Sequence, residues 1–271
     1  METDGTTEGA PPTGVDRTPA EFPIPESVQI AWGHRERASR GPRPGLSLDR
    51  VVAAGIAVAD AEGYEAISMS RVAAELGSST MSLYRYVGSK TELLALMLDV
   101  RMGVPPPLPA GWREGLHRWT TSVMAGYLQA PWMVRVPIPS PPVTPNQIRW
   151  LESGLGAMAP LPLGEQEKLS VILLLSGVAR YQGAIAADFA EVVRTTGVAD
   201  PTVGYGAALL RLITPDEFPA VHRAVVSGSL DDDEDDFPSD QLGFSLTIIL
   251  DGLAALVGRR SPAPPPSPTP S

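Results

Sequence analysis

An all-α fold is predicted by three observations on this 271-residue sequence. Apolar residues recur every three or four positions, and serine caps and glycine stops bracket the periodic stretches. No run alternates polar and apolar residues with the β-branched content of a sheet. Leu48, Val52, Ile56 and Ala59 mark one face of a first long helix, with Ser47 as its N-cap and Gly63 as its stop. A shorter helix is expected before it, over 26–33. A second helix of the main unit covers about 70–76, where Gly77 breaks the chain, and a third covers about 80–86. Ser89-Lys90-Thr91-Glu92 reads as a capping box that opens a fourth helix, continuing to Met102. Prolines over 105–109 separate this unit from the remainder. Further helices are expected near 111–129, 146–158, 164–196, 202–212, 215–228 and 238–258.

The domain reading follows from these breaks. Residues 1–45 form an extension, expected to be disordered, that ends in a basic arm. Residues 46–102 form a small helical domain and 109–259 a larger one, and 260–271 form a proline-rich tail also expected to be disordered. With 43% hydrophobic residues the chain can bury a sizeable core. It contains no cysteine, which excludes disulfides, thiolate metal sites and cysteine nucleophiles. The longest apolar stretches, around 171–175 and 246–250, are too short to span a bilayer, so no membrane partner is expected. The expected location is the cytoplasm, in association with the nucleoid.

The net charge of −10 is unevenly distributed. Residues 231–236 are six consecutive acids, read as a solvated loop. The arm instead carries Arg35, Arg37, Arg40 and Arg43 against Glu36. Concentrated positive charge of this kind lets an acidic chain approach phosphate. The arm is either a minor-groove or phosphate contact or an ordinary linker.

ISMSRVAAELGSSTMSLYRYVGSK, residues 67–90, carries the function. A helix-turn-helix needs a small residue facing the second helix, a turn residue that tolerates positive φ, and apolar residues that lock the pair. Ala73, Gly77 and the set Val72, Leu76, Leu83 and Val87 fill these roles. The short helix that follows shows Ser78, Ser79, Thr80 and Ser82 outward, a surface without bulky acids that can enter a major groove.

Over residues 46–102 the sequence resembles the DNA-binding domain of the tetracycline-repressor family of bacterial regulators. The first helix ends in AEG, the second reads RVAAELG, and the recognition segment reads LYRYVGSK. The long N-terminal extension and RGPRPGLS arm resemble an actinobacterial subgroup. The resemblance implies a three-helix helix-turn-helix domain followed by a larger helical ligand-binding and dimerisation domain. It also implies contact of Ser70 and Thr80 with base edges or nearby phosphates. Met81, Arg85 and Tyr86 fall on contact positions, Tyr84 matches a phosphate-binding tyrosine, and Lys90 matches the lysine at the start of the fourth helix. Arg43 and Ser79 complete the candidate DNA surface. Arg85 can donate two hydrogen bonds to a guanine edge. Met81 and Arg85 stand where the founding member has proline and tryptophan, so its operator sequence does not transfer.

Other readings stand beside these. Tyr84 and Tyr86 either touch DNA or pack the small domain, and Arg85 reads the groove, pairs with Glu75 or faces solvent. Gly154-Leu155-Gly156-Ala157-Met158-Ala159 matches a dinucleotide fingerprint by letters but lacks the preceding strand. His34, His117 and His222 show no metal spacing. No enzyme motif is present, and no cofactor or metal is expected. The implied partners are double-stranded operator DNA, a second copy of the chain and a small-molecule effector. Trp119, Met124, Tyr127, Trp150, Arg180 and Tyr181 are candidates to line the effector cavity. The expected protein is a homodimeric repressor that the effector releases from DNA. The alternatives are an activator, or a helical ligand-binding protein whose DNA domain is vestigial.

Overall fold

The structure, a computed structural model, describes residues 22–34, 46–198, 202–230 and 237–260. The basic arm with Arg43, the acidic run 231–236 and the proline-rich tail lie outside the described residues. Eleven α-helices and no strand occur among the described residues.

After α1 (Glu26–Ala31), four helices form the small unit: α2 (Leu48–Glu62), α3 (Met69–Glu75), α4 (Thr80–Leu83) and α5 (Lys90–Met102). A serine caps each of the four. Ser47, Ser68, Ser79 and Ser89 hydroxyls accept from the amides of Arg50, Arg71, Ser82 and Glu92 at 3.1–3.3 Å. Each cap satisfies an amide that the helix leaves unpaired, so the boundaries are set locally. The expected capping box at Ser89 is only half formed. The Glu92 carboxylate passes over the Ser89 amide and accepts from Gly88 N at 2.7 Å. The third helix is shorter than expected: Tyr86 N and Val87 N both turn back to Leu83 O, which ends it in a tight turn.

The larger unit comprises α6 (Trp112–Gln129), α7 (Pro145–Ala157), α8 (Glu165–Thr196), α9 (Tyr205–Leu209), α10 (Pro219–Val226) and α11 (Phe237–Arg260). α9 and α10 are shorter than the expected 202–212 and 215–228. Gly204 at φ +77° precedes α9, and Pro219 fixes the start of α10 because the residue before a proline avoids the helical region. A 3-10 turn over Pro131–Arg135 escapes the sequence reading, being too short to show a period.

Two apolar cores result, and the chain does not divide between them at 102. The first joins Val51, Val72, Leu83, Leu93 and Met97 of the small unit to Trp132, Met133 and Val136 from beyond α6. The Trp132 indole donates to Asp60 at 2.7 Å and pins that turn to α2. The second core gathers Leu116, Trp119, Trp150, Ile172, Leu175, Leu246 and Leu250 from α6, α7, α8 and α11. Helix α8 crosses α6 closely at Gly183, where an added Cβ would lie 2.9 Å from Tyr127 Cβ. Gly154 is likewise a packing glycine: its Cβ would meet Ile172 at 2.4 Å and the Trp119 indole at 3.1 Å. The fingerprint-like letters around it therefore serve helix contact.

Segments Glu165–Thr196 and Gln241–Arg260 are long and apolar enough to cross a membrane, a property that counting unbroken apolar runs overlooked. Their exposed apolar residues fall in stripes. Leu169, Leu173, Gly177 and Tyr181 repeat every fourth position on α8, and Phe244, Ile248 and Gly252 do so on α11. Both helices pack their other faces into the second core.

Arg260 closes the end of α11 onto the start of α8. Its guanidinium forks onto the Glu167 carboxylate at 2.7 and 2.8 Å, and Gly164 N donates to the same group at 2.9 Å. The Arg260 hydrogen bond, then the Gly164 amide, hold Glu167 down to about 2 from an ordinary 4.5. A depressed carboxylate stabilises the fold above its unfolded pKa and loses that contribution as pH falls through the folded one. Arg260→Ala should therefore lower the midpoint of thermal unfolding at neutral pH. The gap from wild type should close between pH 4.5 and 2, as followed by circular dichroism.

Candidate DNA-reading head and ligand cavity

The turn between α3 and α4 is built as its residues dictate. Gly77 sits at φ +60°, a conformation that L side chains resist. Gly77 N donates to Ala74 O at 3.0 Å and Ser78 N to Ala73 O at 2.9 Å. Ala73 is buried beneath the turn, where a larger side chain would push the helices apart. Leu83 is wholly buried and anchors α4 from below.

What α4 then shows to solvent is the candidate reading surface. Met81 is 74% exposed, Tyr84 47%, and Arg85 is exposed beside them. Thr80 and Ser82 are half-buried at its edge, and Ser79 is exposed. Glu75, the alternative partner of Arg85, is instead held by Arg71 at 2.9 Å. Arg71 also forks onto Glu62, whose carboxyl this contact lowers. Among the described residues Arg85 has no ion-pair partner. Ser70 is exposed at the start of α3, within 3.1 Å of the Ser68 hydroxyl. The Lys90 ammonium lies 5.3 Å from the centre of the Tyr64 ring, which restricts its position at the head of α5.

Tyr86 is placed differently from its neighbours. It is half-buried against the first core, and its hydroxyl donates to Leu46 O at 2.7 Å. This bond fixes the chain where the basic arm ends, so Tyr86 braces the surface from within. Ser79 is likewise occupied as the cap of α4 and shares its hydroxyl with Ser82 at 2.9 Å.

A second feature lies between α5, α6, α7 and α8: a cavity of about 240 Å³. Four of the six residues expected there line it: Trp119, Tyr127, Trp150 and Arg180. Both indoles already have their N–H groups engaged. Trp119 donates to Trp150 O and Trp150 to Gly103 O, each at 2.9 Å, so they offer the cavity ring surface alone. Arg180 donates to Val134 O and Val136 O at 2.6 Å and stands next to Tyr127. Burial raises the Tyr127 hydroxyl above its ordinary 10, with Arg180 opposing the shift, so it stays a neutral donor at pH 7. Met124 is not on the wall, being packed into the second core. Tyr181 is 66% exposed on the outer stripe of α8, one residue around the helix from Arg180 and facing away. The sequence reading missed Gln147 and Ser176, which with Ser140 and Arg180 are the polar groups on a mostly apolar wall.

A buried carboxylate is among the links between the head and the cavity wall. Asp99, near the end of α5, is 4% exposed. It accepts from Asn146 N at 2.7 Å and Gln147 N at 3.0 Å, and Asn146 Nδ2 returns a bond to Asp99 O. It thus satisfies two free amides of the α7 N-terminus and favours that helix's dipole.

Comparison with known proteins agrees with this arrangement. The pattern of bacterial regulatory proteins of the tetR family matches residues 51–97, and that of the tetracyclin repressor-like C-terminal domain matches 105–257. The chain is 38% identical over 261 residues, 94% of each protein, to the HTH-type transcriptional repressor DrrR1 of Streptomyces coeruleorubidus. Crystal structures of ActR from Streptomyces coelicolor superpose with a TM-score of 0.67, both apo and in complex with actinorhodin. They cover 81% of this chain and 100% of theirs at 25% and 26% identity. The chain belongs to the tetracycline-repressor family of bacterial regulatory proteins and is a DNA-binding transcriptional regulator, not an enzyme.

Proposed function

We propose that the protein is a homodimeric repressor that grips operator DNA through α4 and releases it when a small aromatic molecule enters the cavity. The surface of α4 carries this reading. Met81 on α4 and Tyr84 and Arg85 in the turn that ends it are exposed on a capped element anchored from below, with no acid among them. Such complete construction argues against a vestigial domain. Ser70, Thr80 and Lys90 extend the contact around α4, and Arg43 adds to it from the arm. DrrR1 being a repressor favours repression over activation.

Dimerisation is supported by the stripes on α8 and α11. Leu173 is 75% exposed and Phe244 68%, while a Cβ at Gly177 or Gly252 would meet open space. Exposed apolar stripes with small residues, on helices whose opposite faces are already seated in a protein core, suit a four-helix contact with a second copy. Two reading heads can then face successive major grooves about 34 Å apart. The effector class follows from the wall: ring faces of Trp119, Trp150 and Tyr127 for a flat apolar body, with Arg180, Gln147 and Ser176 for its oxygens. Linkage requires that operator DNA lower effector affinity by the same factor by which effector lowers operator affinity.

A gel shift on the DNA upstream of its own gene, with salt varied, tests the reading. Lys90→Ala should weaken binding on every bound sequence alike. It should also lower the slope of log K against log salt by about 2, one phosphate contact per protomer. Absence of binding to any fragment from that region overturns the proposal.

A further inference from the structure

Helix α1 lies outside both stretches matched to the family, 51–97 and 105–257, yet it touches both functional parts of the molecule. Its Val28 is 1% exposed and Ser27 3%, so it is seated and not merely appended. At its start the Ser27 hydroxyl donates to Glu92 Oε2 at 2.9 Å. That same oxygen accepts from Gly88 N, in the turn between α4 and Lys90. Glu26, Ser27 and Ile30 wall a depression of about 300 Å³ together with Tyr84, Arg85 and Tyr86 of the reading head. Just past its end, the Trp32 indole donates to Val143 O at 2.8 Å. Val143 closes the segment whose Ile138, Ser140 and Pro142 line the effector cavity.

We propose that α1 is a strut between the cavity rim and the reading head, with Ser27 and Trp32 as positioning residues for DNA recognition; the recognition itself rests on the reading above. Asp99 ties one end of α5 to α7, while Leu93 and Met97 seat its body in the first core. The bond from Ser27 adds an anchor at the opposite end of α5 through Glu92, seven residues and about 10 Å away along the axis. This anchor links the tilt of α5, and with it the angle at which α4 meets DNA, to the position of α1. Outward movement of the rim must either break the Trp32 bond or carry α1 with it. A six-residue helix held at both ends moves as one body, so the displacement arrives at Glu92 and Gly88.

Hydrogen exchange on the full-length protein without DNA tests the strut independently of any operator. Trp32→Phe keeps a six-membered aromatic ring but loses the pyrrole ring with its N–H donor, and Ser27→Ala removes the hydroxyl donor at the other end. Trp32→Phe should speed exchange of the amides around Gly88 as well as those of Asn146 and Gln147, which are hydrogen-bonded beside the rim. Ser27→Ala should speed exchange at Asn146 and Gln147 as well as at Gly88. Changes confined to each variant's own end, or no change in either, overturn the proposal. On a DNA fragment that the wild type binds, each variant should lose about three- to tenfold in affinity, the worth of one hydrogen bond. Should the wild type bind no fragment, the operator reading fails while the exchange result still decides the strut.

Discussion

Arg85→Ala should weaken operator binding by about 30-fold to 10⁴-fold and relax preference at one base pair in each half-site. The guanidinium is exposed in the turn just after α4, without an ion-pair partner among the described residues, because Arg71 holds Glu75. A fork of that kind matches the two acceptors of a guanine edge, and such a pair discriminates by about 1–3 kcal/mol. A dimer makes the contact twice, so the loss doubles to about 2–6 kcal/mol, which sets the range quoted. Binding isotherms on the operator and on variants substituted at each G·C pair check it. The decisive signature is a loss that disappears at one position, in contrast to the uniform loss expected of Lys90→Ala. An equal loss at every position would make Arg85 a phosphate contact.

Asp99→Ala should cost about 2–4 kcal/mol of stability and lower the thermal midpoint by about 5–10 °C. The carboxylate is buried and receives two backbone amides at the start of α7. Truncation leaves those two half-buried amides without their acceptor, which is the expensive way to remove a hydrogen bond. Asp99→Asn retains an acceptor oxygen and should lose less than half as much. Calorimetry separates the two variants. Because Gln147 also lines the cavity, Asp99→Ala should in addition reduce the factor by which effector and operator oppose each other. A variant that loses stability with that factor unchanged would make Asp99 a cap and nothing more.

The parts legible in the sequence share a physical character. Ser47, Ser89, Gly63 and Gly77 act within four residues of themselves, so the bounds of α2 and α5 and the turn between α3 and α4 follow from local chemistry. Where a distant group competes, the local reading slips. Glu92 should have closed its own capping box, but its carboxylate bridges Gly88 and Ser27, the latter 65 residues away. Tyr86 shares a short segment with Tyr84 and Arg85, yet its hydroxyl finds the Leu46 carbonyl 40 residues back. No spacing rule distinguishes an inward tyrosine from an outward one when the helix lasts only four residues.

The cavity shows the same division. Aromatic residues on α6 and α7 suggested a lined site, and Trp119, Tyr127 and Trp150 do line it. Arg180 and Tyr181 are adjacent on α8, and a helix turns by about 100° per residue, so only one of them can face inward. Which one does is settled by the contact of Gly183 with Tyr127, which sets the rotation of α8 against α6.

By itself, then, the sequence determined the helical class, the order of the main elements and the glycine turn between α3 and α4, because caps, glycine turns and apolar periodicity are short-range. Only the tertiary structure decided which side chains line the cavity, that Asp99 latches the two units, and that α1 bridges head and rim. Those contacts join residues 46 to 111 positions apart, and they depend on how helices rotate and cross once packed, which no local pattern encodes.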